Sequence, residues 1–174
     1  MSFAFPLLDT VKSILSDTMP GTPPEIWWLA GCVLFVLALT ALVDAFTSVI
    51  PDIFIFLGLG AVTATLGMTV SWEIAALHLR HALLAGFTIW VINFFWYKKF
   101  HHDALGMGDA KWTMLAVACF GFLPGLFAWG VGAILAVFFM GLMYLAHYKI
   151  TRVTFAPFLF IGLSAGLYWI RFGN

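Results

Sequence analysis

Residues Trp27–Asp44, WWLAGCVLFVLALTALVD, carry no charge before the final carboxylate. A helix that is apolar all round has no water-facing side, so it belongs either in lipid or deep inside a large core. Composition selects lipid. The 174-residue chain is 63% hydrophobic and 9% charged, where soluble domains carry about a quarter charged residues. Its mean hydropathy is +1.04. With a formal net charge of +0, nothing points to a nucleic-acid partner, and membrane lipids are the expected surroundings.

Similar runs follow. Ile53–Val70 comes after Pro51, and Ala82–Tyr97 comes after a polar interval, Ser71–His81, and stops at Lys98-Lys99. A fourth run starts near Ala110 and is cut at Pro124-Gly125; Leu126–Leu145 and Phe155–Ile170 complete the set. The expectation is an all-α integral membrane protein with about six transmembrane helices. The third and fourth runs fall short of the ~20 residues a span usually needs.

Ahead of them, Phe3, Leu7, Leu8, Val11, Ile14 and Leu15 give residues 1–19 an amphipathic pattern suited to the membrane surface. Lys12 and Asp17 interrupt it, so it is expected to stay in the mature protein rather than act as a signal peptide. Pro20–Pro24 then serves as a linker. Residues 1–24 are thus an N-terminal segment and linker, and residues 25–174 a polytopic membrane domain. Trp27, Trp28, Trp72, Trp96, Tyr97, Trp112, Tyr148 and Trp169 fall near span ends, as an interfacial belt would. Gly121/Gly125 and Gly162/Gly166 have the spacing of close helix contacts. Cys32 and Cys119 sit in apolar runs and are expected to be buried and unpaired.

With six spans, Lys98, Lys99, Lys111, Lys149 and Arg152 share one side, five of the eight Lys and Arg. The positive-inside rule makes that side cytoplasmic and sends both termini outward. Asp44 closes the first span and Asp109 opens the fourth, so an even number of crossings separates them. Although 65 residues apart, they must share a face whichever way the protein is inserted.

Asp109 stands in Gly106-Met107-Gly108-Asp109-Ala110-Lys111, where a charged, glycine-containing connection becomes an apolar helix. Two carboxylates at one face can activate a water, one ionised and drawing its proton, the other protonated and donating to a peptide carbonyl. Asp44 and Asp109 are therefore the candidate catalytic pair. Gly106 and Gly108 lack Cβ atoms, which would let a peptide backbone lie against the loop. Asp52 reads as an N-cap of the second span. Lys111, almost opposite Asp109 on a helix, is expected to reach for lipid phosphate or loop carbonyls. His101, His102 and Asp103 are expected to be solvated, and no His-Glu-x-x-His pattern exists, so neither a metal nor another cofactor is expected. His78 and His81 are expected on the far side from the pair. The alternative is a non-catalytic membrane subunit or a small ion- or proton-coupled transporter with the aspartates as ion ligands. A metal-dependent hydrolase is a third option.

Three stretches together resemble the type IV prepilin peptidases, membrane aspartic proteases of the Gly-x-Gly-Asp kind. Leu42-Val43-Asp44 with Ile50-Pro51-Asp52 is similar to the family's first aspartate segment. Gly106–Lys111 is similar to the second, with Trp112 where Leu is usual, and Phe155-Ala156-Pro157-Phe158-Leu159 resembles the segment entering the last span. The resemblance implies that Asp44 and Asp109 cleave the short basic leader of a prepilin or pseudopilin at the cytoplasmic face of the bacterial inner membrane. Gly106, Gly108, Asp52 and Lys111 form the candidate substrate-binding set, with acidic Asp52 or Asp103 suited to the leader. Ala45-Phe46-Thr47-Ser48 lack the basic residue many members carry there. The paired Cys-x-x-Cys motifs of the larger, bifunctional members are also missing, which implies a short member without methyltransferase activity.

Overall fold

Each apolar run forms a helix because, in hydrocarbon, the backbone must satisfy its own hydrogen bonds, and a helix does so within one segment. The computed structural model describes residues 24–47, 50–101, 106–147 and 154–172. Among these residues there are six helices and no strand: α1 Pro24–Thr47, α2 Asp52–Thr69, α3 Trp72–Phe100, α4 Met107–Phe120, α5 Phe122–Leu145 and α6 Ala156–Phe172. The all-α membrane architecture expected from sequence is the one observed. Of the six helices, α1, α2, α3 and α5 are long and apolar enough to cross a bilayer, and α4 and α6 are shorter. The expected N-terminal amphipathic segment, together with Asp103, Lys149 and Arg152, lies outside the described residues.

The outer surface is apolar. Phe35, Phe56, Phe87, Phe138 and Tyr168 are all exposed, a distribution that suits lipid and would aggregate in water. Hydroxyls inside this environment bond back to their own helices. Thr40, Thr63, Thr88 and Ser164 each donate to a carbonyl one turn earlier, at 2.8–2.9 Å.

α4 is the hub and touches all five other helices. Its 14 residues reach about 21 Å at ~1.5 Å per residue, short of a ~30 Å hydrocarbon core. That length is tolerable because longer helices enclose it. Leu115, Ala116, Val117 and Ala118 are fully buried.

Several boundaries differ from the sequence reading. The interval Trp72–His81 is helical, and the third helix starts at Trp72 rather than Ala82. Ser71 caps it by accepting the Ile74 N–H at 3.2 Å, and Glu73 sits in the first turn, where the helix dipole favours an anion. The break between α4 and α5 falls at Gly121, not Pro124. Gly121 has φ 87°, a left-handed backbone that glycine adopts without steric cost. Pro124 lies in the first turn of α5, where its missing N–H has no helical partner to lose.

Three single residues also differ. Trp112 is 0% exposed and belongs to no interfacial belt. Cys32 is exposed and Cys119 only partly buried, because Cys32 lies on the outward face of α1. Gly121 makes no close helix contact; a Cβ there would meet nothing within 4 Å, whereas one on Gly162 would fall 2.5 Å from the Ala128 carbonyl oxygen of α5.

Candidate active site

The C-terminal end of α1 and the N-terminal end of α4 converge on one cleft. Asp44 is 8% exposed and Asp109 is 7% exposed. Both line a cleft of about 300 Å³ together with Ile50, Asp52, Gly106, Met107, Gly108 and Lys111. All six residues singled out from sequence are in that lining.

Each aspartate is held by a backbone N–H. Asp109 accepts from Gly106, and Asp44 accepts from Ala156 at the start of α6. The Phe155–Leu159 stretch thus contributes a donor to Asp44, a role its sequence does not announce. The two carboxylates lie close enough to act electrostatically on each other. Such a pair cannot ionise twice cheaply, so its protons come off in two coupled steps.

The glycines serve the aspartate loop itself. Gly106 has φ −66° and ψ 137°, ordinary for any residue, so it is space that requires glycine there. A Cβ at Gly106 would lie 2.9 Å from Asp109 Oδ2, and one at Gly108 would lie 3.0 Å from Ile50 Cδ1. On the Cβ side of each glycine the room is filled from within the protein, by the carboxylate and by Ile50, while both glycines also line the cleft. Met107 also lines the cleft, and its Sδ receives the amide of buried Asn93 at 3.9 Å.

Asp52 and Lys111 take roles different from those expected. The N-cap of α2 is Pro51, and Asp52 makes no side-chain cap bond. Instead, Lys111 Nζ donates to Asp52 Oδ1 at 2.6 Å, with side chains 30% and 56% exposed. Lys111 thus reaches across to α2 rather than to lipid or loop carbonyls, and both residues of the pair line the cleft. An ion pair this exposed contributes ~0–1 kcal/mol, so a substrate charge can compete for either partner.

His78 lies toward the other end of α4, where its Nδ1 is 2.9 Å from the Ala118 carbonyl oxygen. The carbonyl can only accept, so Nδ1 carries the proton. Among the described residues, no group of three His, Cys, Asp or Glu is arranged to hold a metal ion. No family model matches the chain, and no curated protein or solved structure matches it.

Proposed function

We propose that this protein is a membrane aspartic endopeptidase that removes the leader of type IV prepilins or pseudopilins. One observation carries the reading. Asp44 and Asp109, on separate helices, are both more than nine-tenths buried and open onto the same cleft. Two buried carboxylates that act electrostatically on each other are costly to keep, which favours a functional role for them.

In the proposed reaction the ionised member of the pair takes a proton from a water held between them. The resulting hydroxide adds to the scissile carbonyl carbon while the protonated member donates to the carbonyl oxygen. In the collapse of the resulting gem-diol the now ionised member takes one hydroxyl proton, the C–N bond breaks to leave the carboxylic acid, and the departing amine takes a proton from the protonated member, which restores the pair. Ala156 and Gly106 hold the two carboxylates in orientation through their N–H groups.

Substrate reaches the cleft past Asp52 and Lys111, with Asp52 suited to a basic leader. The apolar exterior gives the hydrophobic helix of a pilin precursor a surface to lie against. The distribution of Lys and Arg favours a cytoplasmic cleft, and the resemblance to prepilin peptidases implies a bacterial inner membrane.

The test is incubation of purified, lipid-reconstituted protein with a prepilin, with mass spectrometry of the products. The expected result is a single cut ahead of the pilin's hydrophobic helix. No cleavage, combined with ion or proton flux in the same vesicles, would favour a transporter instead.

A further inference from the structure

We propose that Trp112 is a positioning residue whose indole ties α4 to α1 and so sets the alignment of Asp44 with Asp109. The kinetic consequence rests on the peptidase reading; the tie itself does not.

Trp112 is the largest fully buried side chain described. Its Nε1–H donates to the Leu37 carbonyl oxygen of α1 at 3.1 Å. Leu37 precedes Asp44 by seven residues and Trp112 follows Asp109 by three. Seven residues are about two helical turns, so Leu37 and Asp44 lie on nearly one face of α1. Three residues are less than a turn, so Trp112 and Asp109 move together. A shift where the indole meets the carbonyl is therefore passed along two stiff helices to both carboxylates.

The neighbouring bonds make this contact a fixed point. The Leu37 carbonyl also receives the Thr40 hydroxyl at 3.0 Å. On the other side of α4, Trp129 of α5 donates its Nε1–H to Thr113 Oγ1 at 2.9 Å. The Thr113 hydroxyl in turn donates to the Asp109 carbonyl oxygen at 2.7 Å. The first turns of α4 are thus held from α1 by one indole and from α5 by another.

In lipid, apolar helices gain little from meeting each other rather than hydrocarbon. Leucine-like contacts tolerate sliding, whereas an N–H···O bond weakens steeply with misalignment. The directional bond is therefore the element that fixes register between α1 and α4.

The test substitutes Trp112→Phe, which removes the N–H and keeps an aromatic ring, with Trp112→Leu as a second variant. Trp112→Phe is expected to remain folded and to cleave prepilin with kcat reduced about 10- to 100-fold, the cost of sub-ångström misplacement of reacting groups. KM should stay within about twofold, because the cleft mouth is untouched. The two limbs of its pH–rate profile should change their separation, because the coupling between carboxylates depends on their distance.

An activity-independent readout uses Asp44→Cys with Asp109→Cys in a chain also carrying Cys32→Ser and Cys119→Ser. Adding Trp112→Phe should lower the yield with the shortest bifunctional thiol reagent that joins the pair. Unchanged kcat and unchanged crosslinking would overturn the proposal, as would collapse of the fold in Trp112→Phe, which would make the residue a packing element only. If the wild type cleaves nothing, the peptidase reading fails, and the crosslinking comparison still decides the tie.

Discussion

Replacing Gly106 with alanine separates the chemistry of the cleft from the stability of the fold. The new Cβ would stand 2.9 Å from Asp109 Oδ2. Ordinary contact begins near 3.4 Å, so the carboxylate must retreat by about 0.5 Å or turn away from its preferred rotamer at a cost of ~1 kcal/mol. The backbone at Gly106 suits alanine, and the altered unfolded chain contributes about 0.4–1 kcal/mol in favour of folding. Stability should therefore change by less than about 1 kcal/mol in either direction. On the peptidase reading activity should not be spared, because the group that moves is the proposed reacting one and its Gly106 N–H bond is disturbed. The expected loss is about 10- to 100-fold in kcat. The assay pairs leader-cleavage rates with thermal unfolding in detergent. Gly60→Ala is the control, where a Cβ meets nothing within 4 Å. A Gly106→Ala variant with wild-type kcat would refute the placement of Asp109 as a reacting group.

The edge of the cleft should respond differently. Asp52→Asn should raise KM for a basic leader about tenfold, leave kcat within about threefold, and weaken the salt dependence of KM; a kcat loss as large as that of the aspartate pair would contradict a binding role. Gly162→Val drives a branched side chain into the Ala128 carbonyl, so it should destabilise the bundle by ~2–3 kcal/mol or more, read as a lowered Tm or loss of monodisperse protein. The pH dependence of kcat/KM should be bell-shaped. At low pH the pair is doubly protonated and has no base; at high pH it is doubly ionised and has no acid. A chelator in the same assay should leave the rate unchanged, and inactivation restored by added metal would favour a metal-dependent hydrolase.

The helices and the meeting of the two aspartates were legible in the sequence for separate reasons. Uninterrupted apolar runs such as Trp27–Val43 leave a membrane helix as the simplest solution. Parity of crossings then brings Asp44 and Asp109 to one end without any knowledge of packing. Features set by tertiary contact were not legible. Ser71–His81 looks like a connection by hydropathy, yet Ser71 caps a helix and His78 finds the Ala118 carbonyl 40 residues away. Pro124 looks like the breaker, but proline is harmless in a first turn, and the reversal falls at Gly121. Lys111 meets Asp52 across 59 residues, a pairing that neither local segment signals. Trp112 resembles an interfacial tryptophan in a chain apolar on every side, because nothing in that pattern marks α4 as the enclosed helix.

The central claim is that Asp44 and Asp109 act on one water in one cleft. The most direct measurement is the prepilin cleavage rate of Asp44→Asn, Asp109→Asn and the double variant, each confirmed folded and membrane-inserted. Each single variant should lose cleavage to background, and the double variant should be no worse, because groups that act as a unit lose their effect together. Cleavage at near wild-type rate by either single variant would contradict it.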